Sequence, residues 1–317
     1  MRRLLPLIAT VALASTCATA CGGAGAPAVT GFTVTNCGAQ VSFDRTPERI
    51  VLLHSASVPF LQRLGALDRV VARAGQYPQE YYDEATRTAL AGIPVLSDRL
   101  DSSGHLQISR EVVLAQRPDL VLGTADNLDR ATLAASGVPV LEEPALCGAA
   151  GSEVRFDDVA EQMEFYGRVV DREAEAAVAA RELTERFERL RREPSGRTAA
   201  VLYPTVGGGV TYAYGTASTA HPQLEAAGLA NVFADVPDRV FEVTREELLA
   251  RNPDVLVLLH SGGDPAAVVD AVTSAPGAGA LTAVQEGDVL PLLFNFTEPP
   301  TPLALDGLQR IVDRFAQ

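Results

Sequence analysis

Lysine is absent from the 317-residue chain: all 26 basic residues are arginine. A Gly-x-x-x-x-Gly-Lys phosphate loop is thereby excluded, since that motif needs its ammonium on the phosphates. Any cationic contact to a ligand must come from arginine, whose planar fork favours bidentate geometry. Tryptophan is also absent, so stacking on a ligand falls to Tyr and Phe. Positive charge is in the minority, with 26 basic against 40 acidic residues and a formal net charge of −14. That sign disfavours nucleic acid, whose phosphates demand a basic face. No Gly-x-Ser-x-Gly elbow occurs: His54-Ser55 and Gly215-Thr216-Ala217-Ser218 lack the second glycine. Gly207-Gly208-Gly209 lacks the dinucleotide spacing and reads as a turn between short strands. Two Leu-Leu-His-Ser segments, Leu52–Ser55 and Leu258–Ser261, have no identifiable orienting acid, so catalysis is disfavoured.

Long hydrophobic runs are missing too. Leu4–Ala14, behind Arg2 and Arg3, is too short to span a bilayer and has the form of a secretory signal. Ala18-Thr19-Ala20-Cys21-Gly22-Gly23 resembles a lipobox with Cys21 as the acylated residue. Ala18 stands where leucine is usual, Cys17 is a weaker candidate, and ordinary cleavage is the alternative. Losing residues 1–20 removes Arg2 and Arg3 and takes the charge from −14 to about −16. Residues 22–30, rich in Gly, Ala and Pro, read as a flexible tether. Of four cysteines, Cys37 and Cys147 lie beyond the signal. In an exported protein a disulfide between them is the economical reading, with two buried thiols as the alternative. Neither has a second ligand at close spacing, so no metal site is expected.

Against these absences stands one doubled segment. Arg110, Glu111, Leu114, Ala115, Pro118 and Asp119 recur, 135 residues on, as Arg245, Glu246, Leu249, Ala250, Pro253 and Asp254. That offset is too long for a solenoid unit and is the size of a domain. Ser109 and Thr244 open each copy as N-caps, Thr244 with Glu247 at capping-box spacing. Pro118 and Pro253 stop each helix. Leu120–Leu122 and Val255–Leu259 then read as strands buried on both faces of a parallel sheet. Glu111 and Glu246 fall in first helical turns, where acids complement the helix dipole. Strands and helices alternate along the chain: strands at Arg49–His54, Arg69–Arg73, Pro94–Leu96 and Val138–Leu141, then Thr198–Tyr203 and Val289–Leu293. An opening hairpin is expected at Phe32–Phe43, and left-handed helix stops at Gly65 and Gly228. Phe156–Glu193, free of Pro and with Gly167 alone, predicts one long helix, or two with a break near Gly167. The class is α/β, in two lobes that form a cleft.

Pro47-Glu48-Arg49-Ile50-Val51, Leu64-Gly65, Arg117-Pro118-Asp119 and Asn252-Pro253-Asp254, with the signal and the doubled segment, resemble the substrate-binding lipoproteins of ABC importers. More narrowly, the chain resembles the long-helix-linked group serving iron–siderophores, haem and vitamin B12. The resemblance implies two Rossmann-like lobes with parallel sheets joined by one long helix. Its parts are a signal peptide (1–20), a tether (21–31), a first lobe (32–155), the helix (156–194) and a second lobe (195–317). It implies no enzyme and no intrinsic cofactor; iron would arrive only within the bound siderophore. Further implied are a monomer anchored outside the cytoplasmic membrane through Cys21, and docking of Glu111 and Glu246, with Glu247 a competitor, on the permease. Haem or cobalamin as cargo, a surface receptor feeding a sensor, and an enzyme are the alternatives; the lack of tryptophan counts against haem and cobalamin.

Ligands of open parallel sheets bind beyond the carboxyl ends of the strands. The residues delivered there are His54, Arg73 and Tyr77 from the first lobe, and Tyr203, His260, Phe294 and Asn295 from the second. Tyr214 joins them from the Gly-rich region. Aromatic rings, histidines and an arginine suit a large, partly apolar chelate with anionic oxygens.

Overall fold

The structure is a computed structural model that describes residues 31–101, 105–144, 147 and 154–315. The signal peptide, Cys21 and all of the tether but Gly31 lie outside the described residues.

The chain opens with a hairpin, β1 (Phe32–Asn36) and β2 (Ala39–Phe43). Cys37 and Gly38 turn it with φ of 50° and 73°, the sense that matches strand twist. Cys37 pairs with Cys147 in a disulfide, Cα atoms 5.0 Å apart, as expected.

A five-stranded parallel sheet follows: β3 (Ile50–Leu52), β4 (Val70–Ala74), β5 (Val95–Ser97), β6 (Leu120–Leu122) and β7 (Val140–Leu141), in the order β5-β4-β3-β6-β7. Its helices are α1 (Val58–Arg63), α2 (Glu84–Ala91), α3 (Arg110–Leu114) and α4 (Arg130–Ala134). Gly65 follows α1 at φ 63°, the left-handed stop expected of it. The apolar runs have no alternation because both faces are covered. Ile50, Leu52, Leu120 and Leu122 face one cluster; Val51, Ala72, Val121 and Val140 face another.

Of the two expectations for 156–194, one long helix or two with a break near Gly167, the second holds: α5 (Asp157–Val169) is followed by α6 (Glu173–Leu190). They fold back on each other, with Phe156 and Phe187 stacked at 4.5 Å. The break falls at Asp171, φ 54°, not at Gly167. Gly167 lies within α5 and serves its packing, since a Cβ there would collide with Ala176 of the facing helix. At 18 residues, α6 is roughly 27 Å long. It leads into the second lobe, where Arg192 N–H donates to the Ala226 carbonyl (2.9 Å).

That lobe holds β8 (Thr198–Pro204), β9 (Thr211–Tyr214), α7 (Ala220–Ala226), β10 (Ala230–Asn231), β11 (Val240–Val243), α8 (Arg245–Arg251), β12 (Val255–His260), α9 (Pro265–Thr273), α10 (Thr282–Glu286), β13 (Val289–Leu293) and α11 (Pro302–Phe315). The sheet order is β11-β9-β8-β12-β13, with β10 beside the start of β8. It is parallel at β8, β12 and β13 but antiparallel at β9, where an all-parallel sheet was expected. The cause is local: Gly207, Gly208 and Gly209, all at positive φ, make a turn too short for a crossover helix, so β9 returns antiparallel. One cluster runs without interruption from Ile50 and Leu52 through Met163 and Leu183 to Val201, Val257 and Leu308. The lobes thus share a core, which restrains their relative motion.

The doubled segment is architectural. Arg117 (φ 49°) and Asn252 (φ 43°) take the same left-handed step before their prolines. Asp119 then accepts from the amides of Glu48 and Arg49 (2.7–3.1 Å), and Asp254 from that of Thr198 (2.8 Å). Each aspartate ties its strand to the first strand of its own sheet.

Candidate functional site

Carboxyl ends of strands from both sheets line one cleft with two compartments. The first, ≈ 720 Å³, takes Arg73, Tyr77 and Asp98 from the first lobe and His260, Phe296 and Arg310 from the second. The second, ≈ 670 Å³, takes His54, Thr124 and Glu142 from the first lobe and Arg239, Phe294 and Asn295 from the second. Gly75, Gln76, Pro78 and Ser261 border both. Asn295 clasps the lobes at the partition: its amide N–H donates to the Tyr81 hydroxyl (2.9 Å) and its Nδ2 to Ser55 Oγ (3.2 Å).

The two Leu-Leu-His-Ser segments end on this cleft, one in each compartment. His54 Nδ1 accepts from the Ala56 amide at 3.2 Å, so the proton of the neutral ring lies on Nε2. Nε2 is buried and has no partner among the described residues. Burial lowers the pKa of His54 to about 4, and the ring is neutral at pH 7. It fits there because residue 123 is glycine: a Cβ would strike the imidazole, and φ is 96°. His260, 9% exposed, donates from Nδ1 to the Gly262 carbonyl at 3.2 Å. The twin histidines thus engage the backbone in opposite senses, His54 Nδ1 accepting from an amide and His260 Nδ1 donating to a carbonyl.

Arg73 reaches its compartment with Nε bound to the Leu90 carbonyl (3.2 Å) and its guanidinium 4.8 Å from the Tyr77 ring centre. The Tyr77 hydroxyl donates to the Ala74 carbonyl (3.0 Å), and burial pushes its pKa well up. Tyr203 lies on the rim, bonded to Ser261 Oγ (2.7 Å) and edge-on to Phe294. Tyr214 does not join them. It is 3% exposed, within the main core, because its end of β9 is covered where the Tyr212 end is open.

Sequence reasoning missed Arg239 and Glu298. Arg239 precedes β11 and lines the second compartment; its Nη1 bonds Glu298 Oε2 at 2.8 Å. Glu298 is 1% exposed, and its Oε1 accepts from the Thr219 amide at 2.7 Å. Burial raises its pKa, and Arg239 opposes that rise. The available signal was a lone acid before two prolines in Phe296-Thr297-Glu298-Pro299-Pro300. Among the described residues, Asp101, His105 and Asp126 are the group able to hold a metal ion. They are exposed at the cleft margin, with ligand atoms within 4.8 Å of one another.

Glu111 and Glu246 stand away from the cleft lining, exposed in the first turns of α3 and α8. Each carboxyl is held below its usual pKa first by its own helix-start amide. Arg110 and Arg245 lie 3.8 and 3.4 Å from them. Equivalent places in the two copies give them equivalent positions on the two lobes.

Residues 50–292 match the family described as periplasmic binding protein. The chain is 56% identical to the solved structure of an ABC-type Fe3+-hydroxamate transport system from Saccharomonospora viridis. That match covers 90% of this chain and 99% of that one, with a TM-score of 0.86. A cobalamin-binding protein of Halobacterium salinarum is 27% identical over 290 residues, 87% of this chain and 71% of the relative. The periplasmic vitamin B12-binding protein of Vibrio cholerae shares the fold at 19% identity and a TM-score of 0.61, over 85% of this chain and 96% of that one.

Proposed function

The chain belongs to the periplasmic binding protein family, and from that premise we propose that it captures a ferric siderophore and delivers it to an ABC permease. It is a solute-binding component of ABC transport, extracytoplasmic, and not an enzyme. No described helix is long and apolar enough to cross a membrane, and anchoring through an acylated Cys21 belongs to the proposal. So does a monomeric state.

The observation that carries the reading is the divided cleft itself. Its compartments of ≈ 720 and ≈ 670 Å³ sit within the size range of small-molecule sites. The lining combines rings (Tyr77, Phe294) with donors (Arg73, Arg239), which suits an organic shell presenting oxygens. The similarity to an Fe3+-hydroxamate system supports the same cargo class. Iron enters as cargo, already coordinated, so the protein need supply no ligand to it. Cobalamin is the second reading, favoured by the halobacterial relative.

A thermal-shift panel of ferric siderophores, haem and cobalamin on the exported chain tests this. A ligand at 100 times its dissociation constant adds about 2.7 kcal/mol. A ferric siderophore alone should raise the Tm; a rise with cobalamin or haem alone rejects the siderophore.

A further inference from the structure

The opening hairpin carries its turn to the wall of the second compartment. Asn36, the last residue of β1, is polar yet only 3% exposed. Both polar atoms of its side chain bond one residue 106 positions away: Nδ2 donates to the Glu142 carbonyl (3.0 Å), and Oδ1 accepts from the Glu142 amide (2.8 Å). β7 lies at the edge of its sheet, and its pairing with β6 stops at Leu141. Glu142 is the next residue. A side-chain amide has a donor and an acceptor, so Asn36 gives Glu142 the two bonds that a neighbouring strand would have given.

Two further contacts fix the arrangement. Arg130 Nη2 donates to Asn36 Oδ1 (2.6 Å) and lies 3.1 Å from Glu142 Oε1. Cys37, beside Asn36 in the turn, is bonded to Cys147, whose amide turns back to the Pro144 carbonyl (3.2 Å). Adjacent residues of one turn thus grip the chain on both sides of Glu143, one through an amide and one covalently. Glu142 and Glu143 line the second compartment, whereas Asn36 and Cys37 line neither. The hairpin has a firm footing of its own. Val34, Val41 and Phe43 are buried in one cluster with Leu141, and Phe32 stacks on Phe43 at 4.8 Å. It also precedes the residues 50–292 that match the family.

We infer that Asn36 is a positioning residue for ligand binding: with the Cys37–Cys147 bond it clamps Glu142 and Glu143 in the cleft wall and so fixes the shape of the second compartment. This rests on the reading that a solute is held in the cleft. A wall that is already ordered spares the ligand the entropy of ordering it, so the clamp acts on affinity without touching the ligand.

The test compares three variants of the exported chain. Asn36→Ala deletes the amide, and Cys37→Ser with Cys147→Ser deletes the covalent bond. Val41→Ala is the control, weakening the packing of the hairpin away from the wall. Titration calorimetry with a neutral ferric trihydroxamate should show affinity about tenfold lower in Asn36→Ala, the cost of ordering one or two side chains on binding. The double cysteine variant should show a similar fall. Val41→Ala should lower the Tm and leave the affinity unchanged. Without ligand, hydrogen exchange at the Glu142 amide should quicken in both clamp variants. The Gly123 amide, which donates to the Leu141 carbonyl (2.8 Å), should keep its rate. Wild-type affinity in both clamp variants, or an equal loss in Val41→Ala, overturns the inference. Where the wild type binds haem or cobalamin in place of the trihydroxamate, the siderophore reading falls, and that probe tests the clamp in the same way. A wild type that binds none of the three overturns both.

Discussion

His54 makes acid a specific threat to this fold. Its Nδ1 is committed to the Ala56 amide and its ring is seated against Gly123, so the folded chain resists protonating it until about pH 4. The unfolded chain takes that proton near pH 6.5. Above pH 6.5 both states hold the ring neutral and nothing is lost. As pH falls through the window from 6.5 to about 4, the unfolded state gains a proton that the folded state refuses. Stability should drop by about 2 kcal/mol by pH 5 and about 3 kcal/mol in all. His54→Asn preserves an acceptor for the Ala56 amide, since Asn caps well, and abolishes the titration. In a chain of this size about 1 kcal/mol moves Tm by about 2–4 °C. Between pH 7 and pH 5 the wild type should therefore lose about 4–8 °C more than the variant. Calorimetric melts at matched ionic strength read this difference. The lost ring packing shifts the variant's whole curve, and the other titrating groups act equally in both proteins. If Tm falls as steeply with pH in His54→Asn as in the wild type, His54 is not held neutral and the reasoning fails.

Two other outcomes are expected. Glu111→Ala with Glu246→Ala should abolish uptake while ligand affinity stays unchanged, because both carboxylates stand away from the cleft; wild-type uptake of labelled chelate in that variant would sink the docking assignment. Cys37→Ser with Cys147→Ser opens a link spanning 110 residues and should cost about 4–5 kcal/mol in the chain-entropy model, read as a lower midpoint in urea; an unchanged midpoint would show that the opening hairpin is held without the bond.

The two-lobe plan was legible because it is written in patterns that physics repeats. A proline keeps the residue before it out of the helical region, and in both copies that residue, Arg117 or Asn252, turns left-handed. Unalternating apolar runs marked strands covered on both faces, and they are. The errors came where tertiary contacts outvote local signals. Gly167 looks like a helix breaker by propensity, yet it lies inside α5 and is glycine because the facing Ala176 leaves no room for a Cβ. The real break, at Asp171, carries no glycine. The antiparallel β9 follows from the turn at Gly207–Gly209, which is too short to hold the crossover a parallel neighbour needs.

The site was legible by position and opaque by state. Strand order tells which residues reach the cleft, and His54, Arg73, Tyr77, His260, Phe294 and Asn295 do line it. Strand order does not tell which of their atoms remain available. Arg73 is a cation at a strand end, but its Nε is bound to a backbone carbonyl and its guanidinium carbon lies over a ring. Arg239 comes from a loop and owes its place to Glu298, 59 residues away in sequence. Glu298 in turn is held by the Thr219 amide, from a third segment. A side chain presented by two buried partners from distant segments leaves no local periodicity. The donors of this cleft are set by long-range pairing, whereas its shape is set by strands, and only the second of these has a sequence period to read.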